Sequence, residues 1–160
     1  MKKINNTTII EDNVTIGNNV FIGYYSIIRA NVTIGNNSDI RHYCFLAGDI
    51  KIGNNVKIFQ YSNIGKGSII EDNVYIGPRV TLTNTKKISH GRQYHPDIKA
   101  PIIKYGARLG AGCIILPGVV IENECMIGAG SVVTKSTDAG WIYIGNPAKK
   151  LKKISKDEKL

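Results

Sequence analysis

The side chains with chemistry to offer in this 160-residue sequence are few: three histidines, three cysteines, one isolated asparagine and a scatter of basic residues. His90 and His95 lie five residues apart in a segment that also holds Arg92, and His42 stands 48 residues before His90. An imidazole titrates near neutrality, so a well-placed one takes the proton from an attacking amine or hydroxyl. The plainer reading of both is a solvated loop histidine. Asn84 opens the same segment. Its side chain is able to orient a nucleophile, although Asn also favours ordinary turns because it tolerates left-handed backbone. Cys44, Cys113 and Cys125 read as small core residues rather than nucleophiles or disulfide partners, in keeping with a reducing compartment.

The formal charge is +9, and it is concentrated. Residues 83–104 carry five basic side chains against Asp97 alone, and residues 135–160 carry seven against three acidic ones. The rest of the chain is nearly balanced. This favours phosphorylated small molecules as partners over a general polyanion-binding surface, and no nucleic-acid recognition motif accompanies the charge. No apolar stretch approaches the ~20 residues of a spanning helix, so membrane insertion is not expected. No signal-peptide core follows Met1-Lys2-Lys3, so a cytoplasmic address is expected.

The elements that position these residues follow from periodicity. Stepping by six from Ile4 gives Ile10, Ile16, Ile22, Ile28, Ile34, Ile40, Leu46, Ile52, Ile58, Ile64, Ile70, Ile76 and Leu82. Four places after each stands a residue that is nearly always small or β-branched, such as Val20, Ser26, Val32 or Cys44. A helix cannot hold a period of six on one face, whereas short strands joined by tight turns can. A period of eighteen is superimposed. It gives an asparagine corner (18–19, 36–37, 54–55, 72–73) and an aromatic corner built on Tyr25, Tyr43 and Tyr61 with His42 beside them. Eighteen is three hexads, so each coil is a triangle. The third corner carries Ala30, Gly48, Lys66 and Asn84.

The register breaks after Leu82 and resumes at Ile103, Leu109, Ile115, Ile121, Ile127 and Val133, with fifteen extra residues inserted at the third corner. Gly110-Ala111-Gly112 and Gly128-Ala129-Gly130 then stack on the aromatic corner. The expected fold is all-β: a triangular parallel solenoid of about seven coils, ~30–35 Å long at the usual strand spacing. Residues 1–136 form it, with a loop over about 84–101. Residues 137–160 are expected to add a turn, a strand at Trp141–Ile144, and a short amphipathic helix over Ala148–Ile154. Asn146-Pro147 would start that helix as N-cap and first-turn proline. The last residues, Ser155 to Leu160, are expected to fray.

This pattern resembles the left-handed β-helix, hexapeptide-repeat acyltransferase superfamily over nearly the whole chain, and left-handedness is implied by the resemblance alone. A narrower likeness rests on Thr83-Asn84 at the loop entry, Tyr105-Gly106-Ala107-Arg108-Leu109-Gly110-Ala111, Leu116-Pro117-Gly118, the run from Ile127 to Lys135, and Gly145-Asn146-Pro147-Ala148-Lys149. These are similar to N-acetyltransferases acting on nucleotide-linked amino sugars, especially the 3-amino-sugar branch. Relatives often carry Pro-Arg in the loop, where this chain has Ser89-His90-Gly91-Arg92.

The resemblance implies acetyl-CoA as co-substrate, no metal, a nucleotide-sugar acceptor and a homotrimer with the cofactor between adjacent solenoids. It implies a catalytic role for Asn84 and cofactor contacts at Gly110, Ala111, Gly128, Ala129, Lys135, Lys149 and Lys150. His95 and His90 are the candidate catalytic bases, His95-Pro96 being similar to the His-Pro of sugar O-acetyltransferases, whereas the 3-amino-sugar branch often works without a protein base. Substrate contacts are expected at His42, Lys66 and Arg92. Two competing readings are a sugar O-acetyltransferase with a loop histidine as base, and a non-catalytic solenoid scaffold; a loop that breaks the lattice argues against the scaffold. The γ-class carbonic anhydrases share the fold and bind zinc through three histidines, but the placement of the three here differs from theirs. The tyrosine ladder reads first as edge protection or as packing between copies, and second as a substrate platform.

Overall fold

A computed structural model describes residues 3–160. The chain is all-β, and its two-residue strands stack in three parallel sheets. The first face runs from Lys3–Ile4 through Phe21–Ile22, Asp39–Ile40, Lys57–Ile58 and Tyr75–Ile76 to Arg108–Leu109 and Met126–Ile127. The second holds seven rungs, from Ile9–Ile10 to Val132–Val133, and the third holds six, from Thr15–Ile16 to Val120–Ile121. The result is the expected left-handed parallel β-helix. Partners are eighteen residues apart, as in Lys57↔Tyr75, except across the insertion, where Tyr75 pairs with Arg108, and at the C-terminal end, where Met126 pairs with Ile142.

Alternation within each strand explains the hexads. One residue points inward and its neighbour points out. The inward residues from Ile22 to Ile127 are buried almost completely. Ile4 and Ile10 are the exceptions, at 39% and 38% exposed, because no coil among the described residues lies beneath them. The small inward position faces a corner and does a second job. The hydroxyls of Ser26, Ser38 and Ser62 donate to the carbonyls of Arg41, Gly53 and Gly77 at 2.8, 3.0 and 3.0 Å. They also accept from the N–H groups of Cys44, Val56 and Val80. These buried polar groups are therefore satisfied. The Cys44 and Cys113 thiols take the same place, donating to Phe59 and Gly128 carbonyls at 3.2 and 3.1 Å. All three cysteines are free and buried.

Each corner turns on one residue with positive φ. Asn19, Asn37, Asn55 and Asn73 serve the first corner, and Tyr25, Tyr43, Tyr61 and Arg79 the second, followed there by Gly112 and Gly130. The inserted segment leaves at the third corner as a short antiparallel ribbon, Thr85–Lys87 against Asp97–Ile98. Lys99 N–H donates to the Asn84 carbonyl at 2.7 Å and closes its neck. The Gly118 N–H then bonds to Lys99, so Lys99 occupies the coil position that Asn84 would otherwise have continued.

The C-terminal segment corrects the sequence reading. Ala148–Lys153 is a strand, not a helix, and pairs antiparallel with Trp141–Gly145. Asn146-Pro147 is the two-residue turn between them, with a cis peptide bond, rather than a helix start. The cause is an open edge. Trp141–Gly145 stacks on Met126–Ile127 and presents unpaired backbone, which the next strand covers. Only Ile154 of the supposed apolar helix face is buried, and Leu151 is 58% exposed. The final residues form one 3-10 turn at Lys156–Glu158, where Glu158 accepts from the Ser155 N–H and hydroxyl.

Candidate active site at the broken corner

Asn84 sits one coil above Lys66, at the point where the chain leaves the lattice. Its Nδ2 donates to the Lys66 carbonyl at 3.1 Å, and the Thr85 hydroxyl donates to its Oδ1 at 3.2 Å. Both ends of the amide are therefore held, and the half-buried side chain has one orientation. Around it lies a groove of about 390 Å³, lined by Asn63, Lys66, Thr81, Thr83, Asn84 and the exposed Ile88 of the ribbon, among others. The expected pair Asn84 and Lys66 is thus brought together, although the Lys66 ammonium is engaged with Asp49 at 3.0 Å. Asp49 also accepts from Asn31 at 2.9 Å, and that bond, followed by the one from Lys66, holds its carboxyl below the usual range.

The loop histidines do not line this groove within one chain. His90, Arg92 and His95 are all exposed. The Arg92 guanidinium donates to the His90 carbonyl at 2.6 Å. The loop is tied by Tyr94, whose hydroxyl donates to the Ile88 carbonyl and whose ring lies 3.9 Å from the Lys87 ammonium. His42 is on a different corner from Asn84. Its Nδ1 accepts from the Tyr24 N–H at 2.9 Å and its ring stacks on Tyr24, which leaves the proton on Nε2. Among the described residues no group of three or more His, Cys, Asp or Glu side chains converges as metal ligands would.

The Gly-Ala corners stack as expected: Gly112 N–H bonds to Pro78 and Gly130 N–H to Ala111. A Cβ on Gly110 would come within 2.6 Å of the Ala129 nitrogen, so only glycine fits between these coils. Ala111 and Ala129 stand at a step where several other corners carry a side-chain cap on the N–H. At the asparagine corner the N–H groups of Asn18, Asn36 and Asn54 are each capped by the side chain eighteen residues on, at 2.7, 2.8 and 2.7 Å. Tyr24 is capped by His42 in the same way. Ala111 has only Ala129 above it, and neither N–H has a partner among the described residues. Two exposed amide donors, one coil apart, therefore face outward on this corner. Carbonyls of an extended chain, or a developing oxyanion, would fit them.

Of the basic residues expected to meet phosphates, Lys135 lies on the third corner and Lys149 on the terminal strand, both exposed. Lys150 is already engaged. Its ammonium pairs with Asp138 and lies 4.3 Å from the Trp141 ring centre. The sequence reading missed the outward-facing residues of the first face beside the aromatic corner: Phe21, Arg41, Phe59 and Tyr75. The Arg41 guanidinium sits 5.5 and 5.8 Å from the Phe21 and Phe59 rings and is paired to Asp39. Their eighteen-residue spacing is only partly regular, so no ladder announced them.

Comparison with known proteins agrees with this architecture. The family described as bacterial transferase hexapeptide (six repeats) matches residues 13–48, 49–84 and 101–135, its gap falling on the inserted ribbon. A putative acetyltransferase of Schizosaccharomyces pombe is 38% identical over 91 residues, covering 55% of this chain and 44% of that protein. A galactoside O-acetyltransferase of Lactococcus lactis is 38% identical over 92 residues, covering 54% and 43%. The chain thus spans less than half the length of these curated relatives. Among solved structures, AntD, an N-acyltransferase from Bacillus cereus in complex with dTDP and coenzyme A, is 25% identical with a TM-score of 0.69. It covers 98% of this chain, which in turn covers 84% of it.

Proposed function

The chain belongs to the family of bacterial hexapeptide-repeat transferases, and from that premise we propose that it moves an acetyl group from acetyl-CoA to the amine of a nucleotide-linked amino sugar. The observation that carries the reading is the single break in the lattice at Asn84. It opens a groove lined by both apolar and polar side chains and fixes one amide side chain at its edge. The likeness to an N-acyltransferase solved with dTDP and coenzyme A over 98% of the chain supports the nucleotide and the thioester together.

In this mechanism the neutral amine attacks the thioester carbonyl, and Asn84 orients it. The free N–H of Ala111 or Ala129 takes the oxyanion. The intermediate collapses with loss of the coenzyme A thiolate, which accepts the proton released from nitrogen. Lys135 and Lys149 meet the phosphates of the cofactor, and Lys150 does so on exchange from Asp138. Lys66, His42 and Arg92 contact the acceptor.

The Gly-Ala corner and the Asn84 corner stand at opposite edges of the second face. They meet only if a neighbouring copy lays its Asn84 corner across this Gly-Ala corner. That supports a homotrimer with the site between solenoids. The outward residues of the second face, including Ile9, Ile27, Phe45 and Ile114, are apolar enough to sit near such a contact. A cytoplasmic enzyme, with the precursor and acetyl-CoA in one compartment, completes the proposal.

The test is release of free thiol from acetyl-CoA against a panel of nucleotide-linked amino sugars. Turnover with at least one, and none with the matching hydroxyl sugars, is the expected result. The galactoside O-acetyltransferase relatives and the exposed imidazole of His95, which has no partner among the described residues, favour a second reading, in which His95 is the base for a sugar hydroxyl. Replacing His95 by alanine separates the two. The amine reaction keeps its rate within about tenfold, whereas a general base is worth roughly 10²–10⁴-fold.

A further inference from the structure

The aromatic corner is built at a cost that packing alone does not require. Tyr25, Tyr43 and Tyr61 have φ values of 57°, 57° and 62°, in the left-handed region that disfavours bulky side chains. At the equivalent step the asparagine corner uses Asn19, Asn37, Asn55 and Asn73, and the third corner uses Asn31, Asp49 and Gly67. Residues suited to that backbone are thus the commoner choice, and the aromatic corner departs from it four coils in succession, at the three tyrosines and then Arg79, whereas the asparagine corner departs once, at Glu124. Such strain is retained where the side chain has a job.

The three rings form a ladder, with centres 5.2 and 5.0 Å apart, and no phenol hydroxyl in it has a partner among the described residues. Beside the ladder runs an open groove of about 680 Å³ whose other wall includes Arg41, His42 and Phe59. It continues past Tyr61 into a second groove, of about 450 Å³, that carries Arg79 and reaches Ala111 and Gly112. Among the described residues no carboxylate lines either groove, although Arg41 on the first is paired from behind with Asp39. Arg79 lies over the Tyr61 ring at 5.9 Å and has no acidic partner among the described residues.

We infer that this groove holds the nucleoside diphosphate part of the acceptor, an inference that rests on the reading of the acceptor as a nucleotide-linked sugar. The flat base packs between the ring edges of the tyrosine ladder and the Phe59 wall, an edge-to-face arrangement that suits aromatic quadrupoles. The phenol hydroxyls take ribose oxygens. Arg79 takes the diphosphate, with the guanidinium geometry that suits phosphate oxygens. The sugar then continues along the corner toward the free amides of Ala111 and Ala129.

The test is calorimetric titration of the purified full chain with UDP, dTDP and GDP, without acetyl-CoA, for wild type and Tyr43→Asn. Asparagine suits the backbone at 43, so the variant should keep its circular dichroism and its oligomeric state. At least one nucleotide should bind the wild type, and Tyr43→Asn should weaken it at least tenfold while coenzyme A binding is unchanged. Tyr43→Phe, which keeps the ring, should stay within about threefold. The inference is overturned if no nucleotide binds, if Tyr43→Asn binds nucleotide as wild type does, or if it loses coenzyme A instead. Dissociation of Tyr43→Asn into monomers also overturns it, since the groove would then be a contact between copies. The two readings fail separately. A chain that binds UDP through Tyr43 yet releases no thiol loses the acetyl transfer, whereas one that acetylates but binds nucleotide independently of Tyr43 loses only this groove.

Discussion

Asn84 and Lys66 are eighteen residues apart in sequence and one coil apart in space, and the Asn84 side-chain amide donates to the Lys66 carbonyl at 3.1 Å. The same contact is a corner bond of the lattice and the anchor of the groove. A residue used only as a turn would need no more than the first.

Asn84→Ala separates these roles. It removes one half-buried hydrogen bond, worth about 1 kcal/mol, so Tm should fall by no more than about 4 °C. If Asn84 orients the amine, kcat should fall about a hundredfold with a smaller change in KM. Thermal unfolding and steady-state thiol release on the same preparation give both numbers. A variant with unchanged kcat would make Asn84 a turn residue and nothing more.

Much of this architecture is legible because the solenoid repeats its reasons. Ile58 occupies the environment of Ile40 and Ile76, so one hexad predicts the next. The insertion was legible for the same reason, as the place where a regular pattern stops. The terminal hairpin was not. Ala148, Leu151 and Ile154 have helical spacing, and only the open backbone edge of Trp141–Gly145 makes a strand the better state. That edge is a tertiary fact and overrides local propensity. The free amides at Ala111 and Ala129 become readable once the structure shows that the N–H groups of Asn18, Tyr24, Asn36 and Asn54 are capped by the side chain eighteen residues on, a cap that alanine does not supply. The aromatic groove stayed hidden because its second wall comes from outward positions of another face.

The register itself makes a stability prediction. Ile58 is fully buried between Ile40 and Ile76. Ile58→Asp places an unpaired carboxylate there, costing several kcal/mol, and should yield no soluble folded protein. Ile10→Asp changes the same register position, but at 38% exposure. It should fold with a loss of only a few degrees, ~5 °C or less, since its carboxylate reaches water. Circular dichroism melts of the pair check the contrast. Equal damage would mean that burial does not decide the effect.

The cysteines should be silent in the folded protein. Burial is the main cause that pushes the Cys44 and Cys125 thiols up to about 11, and it raises Cys113 as well. At pH 8 the thiolate, which is the reactive form, is therefore a small minority, and the buried sulfurs are shielded. A disulfide reagent should label less than about a tenth of a thiol per chain in native protein, and all three in denaturant. Rapid native labelling of one cysteine would place it outside the core.

The Lys150–Asp138 pair ties the terminal hairpin to the turn that precedes it, and its contribution should depend on pH in a defined window. The hydrogen bond from Lys150, followed by that from Tyr143, holds the Asp138 carboxyl below the usual range, and Asp138 in turn raises Lys150. A depressed carboxyl stabilises the fold above its unfolded pKa, near ~4, and loses that contribution as pH falls through the folded value. A raised lysine stabilises below its unfolded pKa, near ~10.4, and loses it as pH rises through the folded value. The pair is therefore at full strength between ~pH 5 and ~pH 10. Both groups are open to solvent, so the effect is small and screened by salt. Asp138→Asn should lower Tm by roughly 1–2 °C inside the window and less in molar salt, and should match wild type near pH 2. Differential scanning fluorimetry across pH reads this directly. A difference that persists at pH 2 would mean that Asp138 acts through its contact with the Tyr143 hydroxyl rather than through its charge, because at that pH the charge is gone and the hydroxyl remains.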